Sequence, residues 1–183
     1  MNAAVGLIER VLPAMVHVSA HVPDTHPSAQ LLGTERMGSG AIVDPAGLLL
    51  TVNYVVLGAD QVKVTLADRP ELPADVVCQD FVSGLALLRV PADGLPALPL
   101  RRTLDLALGD DTFIIASVGE DGVRVANGNV TYVGPFDANW EYALERAIMT
   151  TAMNPGLGGG PLLDTNGRMV GIVSLNLNEI GRF

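Results

Sequence analysis

Apolar residues recur along most of this chain with a period of two, and only the first stretch follows a helical period. Val5, Leu7, Ile8, Val11 and Leu12 fall at i, i+3 and i+4 spacings, which predicts a short amphipathic helix over residues 3–12, stopped by Pro13. Residues 15–22 then alternate as a strand, and the polar, turn-rich residues 23–36 read as a loop. Two short apolar runs, 41–43 and 48–52, flank Asp44-Pro45-Ala46-Gly47, a spacer that predicts a hairpin turn. Residues 61–66 and 72–77 alternate again, and 85–90 form a continuous apolar strand. Strands that return every 8–12 residues or so with turns between them predict a β-barrel or sandwich.

The Pro-rich residues 91–100 read as a linker, and a second strand series follows at 112–117, 123–133, 147–150, 161–163 and 169–175. Asp164-Thr165-Asn166-Gly167 predicts a hairpin turn between the last two. The chain thus divides into two similar β halves, 1–100 and 101–183, with no repeat visible between them. Composition agrees with an all-β chain. Among 183 residues, 49% are hydrophobic but only 4% aromatic, so the core must be Val, Leu, Ile and Ala; 20 Gly and 12 Pro supply turns. With only 17% charged residues, the chain is not intrinsically disordered.

Charge narrows the function classes. Asp and Glu number 20 against 11 Lys and Arg, for a net charge of -9, and Lys63 is the one lysine. No basic run exists to neutralise phosphates, which argues against nucleic acid or an anionic membrane surface as partner. The acidic pairs Asp110-Asp111 and Glu120-Asp121 read as solvated turns. No stretch reaches the ~18 apolar residues of a membrane span. Glu9 and Arg10 interrupt the N-terminal apolar run, so the chain as written carries no leader. That makes it cytoplasmic as written, or extracytoplasmic (periplasmic) if a leader has been removed. The single Cys78 allows no internal disulfide and reads as a small buried apolar residue.

The chemistry-bearing segments are Gly38-Ser39-Gly40-Ala41-Ile42-Val43-Asp44, Leu50-Thr51-Val52-Asn53-Tyr54-Val55-Val56, Gly84-Leu85-Ala86-Leu87-Leu88-Arg89-Val90 and Asn154-Pro155-Gly156-Leu157-Gly158-Gly159-Gly160-Pro161. In order and spacing they resemble the trypsin-like serine proteases, and within them the bacterial HtrA/Deg branch. Residues 8–16 and 167–174 are similar to the entry helix with the first strand and to the strand after the nucleophile loop. The resemblance implies an all-β fold of two six-stranded-type barrels, trypsin/chymotrypsin-like, with a short N-terminal helix. Against that pattern the chain stops about where a further strand would begin, near residues 178–183. It therefore reads as a truncated product or an incomplete second barrel, with no PDZ-like domain after it.

The resemblance also implies a catalytic triad, and all three matched positions are replaced. Tyr54 stands where the family has its histidine, Gly84 where it has its aspartate, and Gly158 where it has its serine. Gly158 offers no atom to form an acyl-enzyme, and Tyr54, with a phenol pKa near 10, is a poor base at neutral pH. Gly84 has no charge with which to orient a base. The expectation is a pseudoprotease that serves as a protein- or peptide-binding, scaffold or regulatory domain. Its partner would be a peptide, an active homologue or a larger complex, and the family's trimers make a homo-oligomer the expectation by resemblance. The backbone N–H groups of Gly156 and Gly158 match the family's oxyanion hole, so the loop of Gly156, Leu157, Gly158 and Gly159 is the residual binding site expected.

Two alternatives come from the residues themselves. An active serine hydrolase with a relocated nucleophile would draw on Ser83, Thr150, Thr151 or Ser174. A metal-binding site would draw on His17, His21 and His26. His17 and His21 share a helix face only if helical; on a strand they stand ~13 Å apart, too far for one metal. No cofactor is called for: the glycine cluster 156–160 lacks the Lys-Ser/Thr of a P-loop.

Overall fold

In the computed structural model, which describes residues 3–66, 69–102, 105–138 and 142–174, the alternating segments assemble into two curled antiparallel sheets. Helix α1 (Ala3–Val11) leads through a 3-10 turn at Pro13 into β1 (Met15–His21). Next come α2 (Ala29–Leu32), β2 (Glu35–Asp44), β3 (Leu48–Val52), α3 (Asn53–Val56) and β4 (Gln61–Leu66). β5 (Leu72–Pro73), β6 (Asp75–Asp80) and β7 (Leu85–Arg89) complete the first sheet, in the order β5-β4-β1-β2-β3-β7-β6. β5 and β6 lie at opposite edges of that order, yet only Ala74 separates them in the chain. The sheet must therefore curl until its edges meet, and the Ala74 N–H, donating to Val62 O of β4 at 2.9 Å, holds the residue at which the chain crosses.

The second sheet holds β8 (Asp111–Ser117), β9 (Val123–Ala138), β10 (Tyr142–Thr150), β11 (Pro161–Asp164) and β12 (Met169–Ile172), in the order β10-β9-β8-β11-β12. Val18, Ile42, Leu49, Val64 and Leu88 of the first sheet are fully buried, and Ile115 and Leu163 of the second join the same core. Ile114, Leu162 and Val170 form a second, smaller cluster on the other side of β8. With both faces covered, β8 loses the apolar/polar alternation that marks a half-exposed strand. The two-barrel, trypsin-like reading of the sequence describes this architecture. The expected shortfall of the second barrel falls on residues 175–183, outside the described residues.

Several local readings change. Residues 91–100 are no free linker: Leu95 and Leu98 are buried, and their N–H groups donate to Pro45 O at 3.1 Å and Ile42 O at 2.9 Å. The run 72–77 is not one strand, because the chain passes from one sheet edge to the other at Ala74. β2 starts at Glu35, inside the expected loop, and carries Gly38 and Gly40. A Cβ at Gly38 would press on Val55 at 2.7 Å, and one at Gly40 on Val16 at 2.9 Å, so glycine here marks close packing rather than a turn. Cys78 is exposed, not buried, because β6 is an edge strand with a register shift between Val76 and Cys78.

The expected turn between β11 and β12 is built around a buried carboxylate. Asp164 Oδ1 accepts from the Asn166 and Arg168 N–H groups, both at 2.9 Å; Oδ2 accepts from Arg168 Nε at 2.9 Å and Arg101 Nη1 at 3.3 Å. Burial acts against its ionisation, yet the Arg168 N–H, the Arg168 guanidinium and the Asn166 N–H together hold its pKa below the ordinary value.

Candidate functional site

The three positions singled out by resemblance come together where the sheets meet. Val52 at the end of β3 pairs with Leu85 of β7, and the Asn53 N–H donates to Gly84 O at 2.7 Å, so residue 84 abuts the start of α3. Gly84 adopts φ +71°, a left-handed turn conformation that glycine takes without strain. Tyr54, the second residue of α3, reaches across to the second sheet. A Cβ built on Gly158 would run into the Tyr54 hydroxyl, with Ser174 O next at 3.6 Å. The phenol therefore occupies the space that any side chain at position 158 would enter.

The loop that carries Gly158 is anchored to both sheets. Ser39 is fully buried and ties β2 to this loop and to β8: its N–H donates to Gly158 O and its Oγ to Leu157 O, both at 2.7 Å, while its Oγ accepts from the Ser117 N–H at 2.8 Å. Thr51 Oγ1 in turn donates to Ser39 O at 2.7 Å. The Leu157 N–H turns inward to Ser117 O at 2.9 Å, and the Gly159 N–H to Val173 O at 2.8 Å. Gly159 has φ +97°, and a Cβ there would strike Ser39 O; a Cβ on Gly160 would strike Ile115 O. These glycines allow backbone to approach backbone, and the loop they form is pinned rather than slack. Of the two expected oxyanion donors, the Gly156 N–H has Asn154 Oδ1 at 3.4 Å, a long contact. Ser39 does this anchoring with partners 78 and 118 residues away in the sequence, so no local signal announced it.

α3 itself is held by a buried cation. Arg36, 6% exposed, donates to the carbonyl oxygens of Gly33, Tyr54 and Leu57 and to Ser28 Oγ, at 2.7–3.1 Å. Burial lowers its pKa. The guanidinium satisfies carbonyls that α3 leaves open at its C-terminal end. His26 completes the cluster through Ser28 Oγ at 2.7 Å, its ring packed beneath Gly58. Replacing Arg36 by methionine removes these bonds but also the cost of burying a charge, so the net loss should be about 1 kcal/mol. A urea titration reads it; no shift in midpoint would mean that Arg36 does not brace α3.

The remaining candidates scatter. His17 and His21 both lie on β1. Burial lowers the pKa of His17 against the pull of Glu71, and its Nδ1 lies 3.0 Å from Ser117 Oγ. His21 is half-exposed, and its hydrogen bond to Asp60 at 2.8 Å raises its pKa. Ser117 is 2% exposed, which keeps this Ser–His pair from any substrate carbonyl. Ser83 Oγ donates to Asp80 at 2.6 Å, Thr150 Oγ1 pairs with Thr112 at 3.0 Å, and Thr151 Oγ1 accepts from the Asn129 N–H at 2.9 Å. No group of three or more His, Cys, Asp or Glu among the described residues is arranged to hold a metal. No helix among them is long and apolar enough to cross a membrane.

Residues 38–172 match a family described as trypsin-like peptidase domain. A protein of Hahella chejuensis named "Probable periplasmic serine endoprotease DegP-like" is 35% identical over 206 residues, covering 97% of this chain and 44% of that protein. A protein of the same name from Pseudomonas fluorescens is 37% identical over 150 residues, covering 81% and 31%. The chain thus spans less than half the length of these relatives. Among solved structures, an HtrA-type protease AlgW with a tripeptide superposes with a TM-score of 0.80 at 31% identity, over 94% of this chain and 54% of that one. Deg5 superposes with a TM-score of 0.77 at 25% identity, over 93% and 83%.

Proposed function

The chain belongs to the trypsin-like peptidase domain family, in its HtrA/DegP-like branch, and on that premise we propose that it is a catalytically silent member whose task is to bind a protein or peptide partner. One observation carries the reading: the Tyr54 hydroxyl fills the space over Gly158 where a nucleophile's side chain would stand. With Tyr54, Gly84 and Gly158 in place of histidine, aspartate and serine, no nucleophile, base or orienting carboxylate is present at those positions. Loss of one such member already costs on the order of 10⁴–10⁶ in rate, and further losses add little. Among the described residues the framework around them keeps a pinned loop and a cleft between the sheets, which a binding role can use. The peptides named with the AlgW structures and the periplasmic naming of the DegP-like relatives support a peptide partner met outside the cytoplasm.

The test is casein incubation with the native chain beside a variant carrying Tyr54→His, Gly84→Asp and Gly158→Ser. The native chain should leave casein whole. The variant should cut it slowly, since aspartate tolerates the left-handed backbone of position 84 better than most residues. Cleavage by the native chain, persisting through repurification and labelled by a serine-directed phosphonate, would overturn the reading.

A further inference from the structure

Three hydrogen bonds from Leu157 and Gly158 end on two serines. The Leu157 N–H donates to Ser117 O at 2.9 Å, Leu157 O accepts from Ser39 Oγ at 2.7 Å, and Gly158 O accepts from the Ser39 N–H at 2.7 Å. The Ser117 N–H closes the set by donating to Ser39 Oγ at 2.8 Å. What fixes Ser117 therefore fixes the loop. Its own Oγ accepts from the Gly119 N–H at 3.1 Å and lies 3.0 Å from His17 Nδ1. An N–H only donates, so the hydroxyl's proton goes to the histidine, whose ring is then neutral and carries its proton on Nε2. Ser117 is 2% exposed, which leaves water no room to replace that acceptor.

A proton taken up at Nδ1 reverses this arrangement. Two protons then face each other, the buried hydroxyl loses its acceptor, and a half-buried ring carries a charge. Both costs are relieved when the ring swings off Ser117 toward water. The neighbours of the ring do little to hold the charge in place. β1 sets His17 between Ser39 of β2 and Thr65 of β4, and β8 meets it with Ser117, all uncharged. Glu71 attracts the proton but is bonded to Lys63 at 2.7 Å, and the 3-10 turn Gly119–Asp121 carries Glu120 and Asp121. Burial outweighs Glu71 and holds the ring's pKa below its ordinary value of 6.5. The grip is thus complete above that value and is lost as pH falls through the folded one.

We propose that His17 is an acid-sensitive latch on the loop of Gly156, Leu157, Gly158 and Gly159: the neutral ring holds the Ser117 hydroxyl, and with it the two serines that grip the loop, and the protonated ring lets them go. The experiment is amide hydrogen exchange on the 183-residue chain at about pH 8 and about pH 4.5, read as protection factors so that the intrinsic pH dependence of exchange cancels. Protection of the Leu157, Ser39 and Ser117 amides should fall roughly tenfold or more at the lower pH, the change that one unit of pKa shift carries, while the amides of β3 and β7 keep theirs. His17→Gln, which keeps an acceptor for the hydroxyl but takes up no proton, should show no fall. His21→Gln should fall as the native chain does, since His21 is bonded to Asp60 instead. In the native chain the midpoint of the fall should coincide with the titration of the His17 ring followed by NMR, which keeps the test independent of how the variants fold. A flat native profile, a midpoint that tracks another group, or an equal fall in His17→Gln overturns the inference. A fall shared by β3 and β7 overturns it too, because that is global acid unfolding.

Discussion

A serine introduced at position 158 alone is expected to destabilise the protein by about 2 kcal/mol, and to cost much less once Tyr54 has been changed. The new Cβ meets the Tyr54 hydroxyl, so one of the two must move. Replacing a glycine also restricts the unfolded chain, a gain of only about 0.4–1 kcal/mol, smaller than the usual 1–3 kcal/mol of overpacking. The clash is with the tip of a side chain, whereas at Gly159 and Gly160 it would be with backbone carbonyls. Tyr54 can therefore swing aside at a price in packing, and the fold should survive. Tyr54→Phe removes the clashing atom and leaves the ring carbon at 3.3 Å, tight but tolerable. A double-mutant cycle of Gly158→Ser with Tyr54→Phe, read by urea unfolding, should give a coupling of at least 1 kcal/mol. Additivity within about 0.5 kcal/mol would show that the phenol does not own that space, and the observation behind the silent-peptidase reading would lose its force.

The same contact shows where sequence reading reaches its limit. That Tyr54, Gly84 and Gly158 belong together followed from resemblance, and the structure brings them together. That the phenol excludes a side chain at 158 is a matter of ångströms, which no motif encodes. β4 and the hairpin of β11 with β12 were legible because alternation and turn residues are local signals. β2 was half-missed because Glu35 and Arg36 fell in the polar stretch read as a loop, and Gly38 and Gly40 carry no apolar side chain to continue the alternation, though Val55 and Val16 pack over them. β8 is buried from Thr112 to Ser117 because two clusters cover its two faces. Ser39 was quoted within a motif and given no task. Its role as the tie between sheets depends on partners far away in sequence, and Arg36, which holds the carbonyls of α3, hid in what read as a polar loop.

Asp164 is where the largest loss of stability is expected. Its side chain is 4% exposed, and it collects two backbone N–H groups and two guanidinium groups at the turn that starts β12. Alanine at this position strands the two N–H groups and leaves Arg101, 15% exposed, with its remaining ion pair to Asp105 at 3.3 Å. Removing one partner of a buried pair typically costs about 3–5 kcal/mol, and about 3 kcal/mol is expected here because Arg168 stands 42% exposed and can turn to water. The pH dependence has a definite sign. The folded pKa of Asp164 lies below its ordinary value, so its contribution is complete above the unfolded carboxylate pKa of about 3.9. That contribution drains away as pH falls through the folded value. Native stability should thus decline below about pH 4, and Asp164→Asn, which keeps an acceptor for the turn but no charge, should show a shallower decline. Urea midpoints measured between neutral and strongly acid pH decide it: parallel curves for native and Asp164→Asn would mean that some other carboxylate governs acid unfolding. Because β12 follows directly from this turn, and its Val170, Gly171 and Ile172 line a cavity of about 400 Å³ between the sheets, the same substitution should also loosen one wall of that cavity.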